Sequence, residues 1–361
     1  MTYVLLFAIP FLGLAYVLWH VWAVLPFPNY VKGTVVALFV LCFALFFATV
    51  SHTIDKMPLH VASVVYEIST SLVIILLYLV IIFLVLDLGR LVRLVPKTWL
   101  FHNGWTSLAI LLFMLGVFIY GNIHYNHKVR QPLELLTNKP LEKDLKIVLL
   151  SDMHLGYHNR RAELARWIDK INAEKPDLVL IAGDIIDISV RPLIEENMAE
   201  EFRRIDAPVL ACLGNHEYYS GEPEAQRFYR EAGIRLLRDS VANVGSSLTI
   251  IGRDDRSNPH RRNLAALMKG VDKHKYIILL DHQPFHLEQA ERNGVDFQFS
   301  GHTHHGQIWP VSWITEGIYE VAFGSHHRGE TQYYVSSGLG IWGGKFRIGT
   351  RSEYIVATLR R

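Results

Sequence analysis

The sequence predicts an α-helical membrane unit of four spans over residues 1–127, followed by an α/β domain over residues 128–361. Three observations predict it. The 361 residues are 50% hydrophobic and only 19% charged, with a mean hydropathy of +0.20, which is too apolar for a disordered chain and skewed toward membrane. Charge is divided unevenly, residues 1–127 carrying eight of the seventy Asp, Glu, Lys and Arg side chains. Beyond that point short apolar runs alternate with charged amphipathic stretches, the pattern of strands and covering helices.

Four runs free of formal charge account for the first part: Tyr3 to Leu25, Gly33 to Val50, Ile68 to Leu86 and Gly104 to Gly121. Each is near the ~20 residues that a helix needs to cross ~30 Å of hydrocarbon. The first lacks the positive start and small-residue cleavage site of a secretory signal, so it is expected to stay in the mature protein. Trp19, Trp22, Trp99 and Trp105 fall near run ends, where indoles suit the headgroup layer, and Glu67 and Asp87 flank the third run as interfacial carboxylates. Arg90, Arg93 and Lys97 place the loop after the third run in the cytoplasm, and an even number of spans then puts both the amino terminus and the distal domain outside; Lys128, Arg130 and Lys139 pull the other way.

In the distal part, Leu145 to Leu150, Leu178 to Ile181, Pro208 to Leu213, Leu248 to Ile251, Tyr276 to Leu280 and Val295 to Phe299 read as strands. Arg161 to Ala173 and Ala225 to Ala232 read as helices between them. This part balances 31 basic against 31 acidic residues, which excludes the broad positive field of a nucleic-acid binder. Cys42 and Cys212 offer neither a disulfide framework nor a thiolate metal cluster.

Five strands end in polar residues that can bind metal. Asp152 and His154 follow the first, Gly183-Asp184 the second, and Gly214, Asn215, His216 and Glu217 the third. Asp281 and His282 follow the fifth, and Gly301, His302 and His304 the sixth. Ligands of open α/β sheets gather at the carboxyl ends of strands, so an ordered set of five such ends points to one site.

In this set the sequence resembles the calcineurin-like metallophosphoesterases, whose pattern is Asp-x-His, Gly-Asp, Gly-Asn-His-Asp/Glu, a later His, and Gly-His-x-His. The resemblance covers about residues 145–361 and extends to Tyr334–Gly340 and Arg347–Gly349; it is greatest to the membrane-linked bacterial branch. It implies a β-sandwich flanked by helices with a two-metal site at one edge. Asp152, His154, Asp184 and His304 would hold one divalent ion, and Asp184, Asn215, His282 and His302 the other, with Asp184 bridging. A mixed nitrogen and oxygen shell without sulfur suits manganese, taken as the first expectation, or iron or zinc. A hydroxide bridging the two ions would attack phosphorus, and His216 would steady a phosphoryl oxygen or protonate the leaving oxygen.

Other residues are expected in lesser roles: Glu217 as a support, His305 as a support or surface residue, Asp281 as a cap or orienting group, and His326 and His327 in a solvated loop. The segment Arg253–Arg262 reads equally as a phosphate or headgroup contact and as a solvated helix start. The function expected is a membrane-anchored phosphoesterase acting on a phosphodiester, a phosphomonoester or a lipid-linked pyrophosphate. Its partners would be a phosphorylated small-molecule or lipid substrate and the bilayer, not nucleic acid, with the oligomeric state open. The competing function is a receptor or scaffold with a non-catalytic phosphoesterase-like domain.

Overall fold

The computed structural model describes residues 2–361, with side chains from Ile9 onward. The chain forms two compact units. The first runs to Gly121 and includes Gly343–Lys345; the second holds Asn122–Trp342 and Phe346–Arg361.

Four helices build the first unit: α1 (Thr2–Val24), α2 (Asn29–Val50), α3 (Leu59–Leu91) and α4 (Gly104–Asn126). Pro28 and Pro58 immediately precede α2 and α3, where a missing N–H costs no helical bond. Three of the four, α2, α3 and α4, are long and apolar enough to cross a membrane. Three of the four expected spans are thus candidates among the described residues. The apolar stretch of α1 described with side chains, Ile9–Val24, is shorter than a span, and the start of the expected first run lies outside those residues. At 33 residues, ~50 Å of helix, α3 continues through both Glu67 and Asp87 instead of stopping at them. Asp87 is half-buried, accepting from Tyr16 Oη at 2.8 Å and lying 3.0 Å from His20 Nε2. Lys32 is buried, donating to the Trp22 carbonyl at 2.8 Å.

The second unit follows as β1 (Lys128–Leu136), β2 (Leu145–Leu150), α5 (Arg161–Ala173), β3 (Leu178–Ala182), α6 (Arg191–Glu195), α7 (Met198–Phe202) and β4 (Val209–Cys212). Next come α8 (Asn215–Tyr219), α9 (Glu222–Glu231), β5 (Arg235–Leu236), β6 (Ser240–Val244), β7 (Leu248–Gly252), α10 (Leu264–Leu267) and β8 (Tyr276–Leu280). The chain ends with α11 (Glu288–Asn293), β9 (Phe297–Ser300), α12 (Val311–Ile318), β10 (Gly324–Arg328), β11 (Thr331–Val335) and β12 (Ser352–Arg360).

Two mixed six-stranded sheets result, ordered β1-β12-β2-β3-β4-β5 and β10-β11-β9-β8-β7-β6. Side chains alternate between faces with period two, so each central strand must find apolar cover on both sides. Ile147, Leu149, Leu178 and Leu180 of the first sheet share a core with Ile250, Ile278, Phe297 and Phe299 of the second. The intervening Val148, Leu150, Val179 and Ile181 face outward under Trp167 and Ile168 of α5 and Phe228 of α9. The far face of the second sheet, Ile251, Ile277 and Leu279, is covered by Leu264 and Leu267 of α10 and Ala290 of α11. This is the expected α/β domain with helices on its outer faces. Parallel pairing of β2, β3 and β4, and of β8 and β9, points all five motif-bearing strand ends the same way within their sheets. His326 and His327, expected in a loop, lie in β10 paired with β11.

Candidate metal centre

The loops after β2, β3, β4, β8 and β9 bring all seven expected ligands together. The tight turns depend on glycine: a Cβ on Gly214 would overlap Asp184 Oδ1, and one on Gly301 would overlap Asp152 Oδ2. Five of the seven ligand candidates adopt positive φ: Asp152 at 51°, His154 at 46°, Asp184 at 52°, His302 at 70° and His304 at 49°. Non-glycine residues pay to occupy this region, and such strain concentrates where side-chain aim matters more than backbone comfort.

Asp152, His154 and His304 form one cluster and Asp184, His282 and His302 another, each with its donor atoms within 4.8 Å of one another. In the first, His154 Nε2 and His304 Nε2 stand 3.0 Å apart, and Asp152 Oδ1 is 3.4 Å from His304 Nε2. Asp184 Oδ2 lies 3.1 Å from His282 Nε2 and 3.7 Å from His154 Nε2, so it faces both clusters. Asn215 Oδ1 sits 3.2 Å from His282 Nε2. His216 enters a third grouping with His154 and Asp184, and its ring packs edge-on against His154 with centroids 4.5 Å apart.

These atoms fit divalent metal ions. Two imidazole nitrogens aimed at each other satisfy neither ring fully by hydrogen bonding, whereas a cation between them and Asp152 would use both lone pairs. His304 Nδ1 has no hydrogen-bond partner among the described residues. Burial, then the nearby His154, hold the His304 imidazole well below its usual range, and burial, then His282, bring His302 down to about 4. Both rings are thus neutral at pH 7, the form that binds metal. Burial opposes ionisation of Asp184, but His282 and His216 outweigh it and keep the carboxyl well below its ordinary range.

Four supports hold the cluster, and sequence reasoning gave roles to two of them. Glu217 accepts from the backbone N–H groups of Gly214 at 2.7 Å, Asp184 at 3.0 Å and Ile186 at 3.0 Å, tying the β3 and β4 turns together. Asp281, expected to cap or orient, pairs with Arg253 at 3.0 Å and Arg261 at 3.1 Å, which commits those arginines to holding the segment beside His282. Asp187 was missed. Its Oδ1 lies 3.1 Å from His154 Nδ1 and 3.4 Å from His216 Nδ1, and its Oδ2 lies 3.8 Å from His158 Nδ1. The signal available was a second Asp three residues after Asp184, separated from it by two isoleucines. Arg347, fully buried, donates to the carbonyls of His304 at 2.7 Å, Gly340 at 3.0 Å and Ser337. His305 belongs to neither cluster, stacking on Phe323 and meeting Glu316 Oε1 at 2.9 Å.

A buried set of carboxylate, imidazole and amide donors at the strand ends of an α/β domain defines the class: a candidate metal-dependent hydrolytic centre. Residues 145–306 match the calcineurin-like phosphoesterase family model. An uncharacterized metallophosphoesterase of Campylobacter jejuni is 33% identical over 69% of this chain and 68% of its own length. One of Aquifex aeolicus is 32% identical over 68% of this chain and 97% of its own. A transmembrane protein with metallophosphoesterase domain of Danio rerio is 32% identical over 60% of this chain and 53% of its own. The chain belongs to the calcineurin-like metallophosphoesterases.

Proposed function

We propose that the protein is a membrane-anchored phosphoesterase that uses two divalent cations. The observation that carries this reading is the convergence of seven side chains from five strand ends into two adjoining clusters that both face Asp184. Cations bound there would supply an activated water as nucleophile and neutralise phosphoryl oxygens. The role of Asp152, His154, Asp184 and His304 on one side, and of Asp184, Asn215, His282 and His302 on the other, is to hold those ions with Asp184 shared. Manganese is the ion proposed first, then iron or zinc.

His216 has a different task. Its Nδ1 is engaged by Asp187, both at the carboxylate, 3.4 Å away, and at the backbone carbonyl, 3.3 Å away. That fixes Nε2 as the atom left to meet substrate, and the side chain keeps 14% exposure where the other ring in contact with Asp187 Oδ1, His154, has none. A proton on Nε2 can steady a phosphoryl oxygen or pass to a leaving alkoxide. The substrate proposed is a phosphodiester, phosphomonoester or lipid-linked pyrophosphate. The side proposed for the domain is extracytoplasmic, because Arg90, Arg93 and Lys97 precede α4 and a single crossing by α4 reverses the side whatever α1 does.

The test is a screen of the purified full chain, with manganese, iron or zinc restored in turn, against an aryl phosphodiester, an aryl monoester and a lipid-linked pyrophosphate. Turnover that requires a restored ion and stops on chelation is expected. A protein that holds metal yet turns over none of the three would favour the scaffold reading.

A further inference from the structure

Helix α12 begins seven residues after His304, and its outward face is apolar. Trp313, Ile314 and Ile318 are 64%, 60% and 59% exposed. Trp309, just before the helix, packs edge-on against Trp313 with ring centroids 5.4 Å apart. The other side of the helix is fixed to the site. Ser312 is buried, Glu316 meets His305, and the Tyr319 ring lies 6.2 Å from that of His302. Two indoles and two isoleucines grouped on one short exposed helix beside a polar centre call for an apolar partner.

We propose that this face of α12, with Trp309, is a membrane-docking surface that enters the boundary between lipid headgroups and acyl chains and so sets the lip of the metal centre at headgroup level. Indoles favour that boundary, and a helix with one apolar face lies in its plane. The bilayer is the occupant because of how the chain runs. Helix α4 is long and apolar enough to cross a membrane and ends at Asn126, while β1 begins at Lys128, so His127 alone separates them. A domain tethered through one residue to a helix that crosses a membrane meets a high effective concentration of lipid.

Charge sets the lipid preference. Glu316 and Glu320 are the charged residues of Val311–Glu320, and Arg328 is already paired with Glu320 and Glu291. Both charges within Val311–Glu320 are therefore acidic, which suits zwitterionic better than anionic lipid. One consequence rests on the phosphoesterase reading: a phosphate in the headgroup of a bilayer lipid would reach the centre without leaving the membrane.

The test uses the full chain with Cys42→Ser, Cys212 being buried, and a nitroxide placed at Ile314→Cys or, as a polar exposed control, at Glu224→Cys. In phosphatidylcholine nanodiscs, power-saturation EPR should find oxygen collisions exceeding those of a nickel chelate at 314 and the reverse at 224. An aqueous profile at 314 would overturn the proposal. So would a label shielded from both reagents, as a protein partner or second copy would leave it. This readout needs no turnover, so its failure is distinct from failure of the phosphoesterase reading. A Trp313→Ser, Ile314→Ser double variant gives an independent check: KM for a lipid phosphodiester in vesicles should rise about tenfold with a soluble aryl diester unaffected. Equal losses on both substrates would assign α12 a structural role instead.

Discussion

Replacing Asp187 with Asn removes one charge, and almost none of the side chain's volume, from the point where His154 and His216 meet. Both rings direct Nδ1 at the same oxygen, 3.1 and 3.4 Å away. A hydrogen bond to a charged group contributes about 1.5–3 kcal/mol against about 0.5–1.5 kcal/mol for a neutral pair. The substitution should therefore cost about 1–1.5 kcal/mol per histidine, about 2–3 kcal/mol for the two. That corresponds to a loss of roughly 30- to 160-fold, overlapping the ~10- to 100-fold lost elsewhere when a carboxylate behind a metal-binding histidine is removed. The loss should divide in two. The part acting through His154 appears as weaker metal retention, measured by elemental analysis after dialysis. The part acting through His216 persists at saturating metal as a reduced kcat on an aryl phosphodiester. Thermal melts of the variant check that folding survives. Metal content and kcat both within twofold of the parent protein would refute the positioning role.

The next substitution, His216→Gln, should keep most bound metal while the rate falls by about 10² to 10⁴, and alkyl leaving groups should suffer more than aryl ones; a variant emptied of metal would make His216 a ligand. Arg347→Met strips the donor from the carbonyls of His304, Gly340 and Ser337, a loss of about 3–9 kcal/mol at about 1–3 kcal/mol per stranded group. An unchanged melting temperature would contradict it. Metal binding should also release protons. Without metal, burial works against a charged His282, but Asp184 and then Asp152 outweigh it and hold the ring well above its ordinary range. A raised value means that this pairing stabilises the metal-free fold fully below the ordinary pKa near 6.5 and is lost only as pH rises through the raised value. At pH 7.5 the ring is charged, a cation bound at His282 takes the place of its proton, and about one proton per chain should appear in a weakly buffered dye assay. No release would show the ring already neutral.

The buried parallel strands were the legible ones. Expected and observed limits agree for Leu145–Leu150 and Tyr276–Leu280, because burial on both faces makes such strands continuous apolar runs. Strand β1 was hidden by its half-exposed pattern, in which Arg130, Gln131, Pro132 and Glu134 interrupt the apolar positions. Its partner β12 divides its side chains between two cores, Tyr354 and Val356 on one side and Ile355, Ala357 and Leu359 on the other. The centre was legible because metal-binding residue types follow strand ends in order. Its supports were not. Asp187 gains meaning from His154 and His216, 33 residues before it and 29 after it, and Asp87 gains it from Tyr16 and His20, over sixty residues earlier. Local pattern shows where a strand ends but not what faces it from another element. The exposed face of α12 was invisible for the same reason, since an eight-residue apolar stretch reads equally as core.

The central claim is that Asp184 unites two metal sites in one hydrolytic centre. Elemental analysis of the full-length protein and of Asp184→Ala, paired with turnover of an aryl phosphodiester, tests it most directly. The parent protein should hold close to two divalent ions per chain, and the variant should lose metal and turnover together because both clusters face that carboxylate. A variant that keeps both ions and hydrolyses the diester at the parent rate would contradict the account.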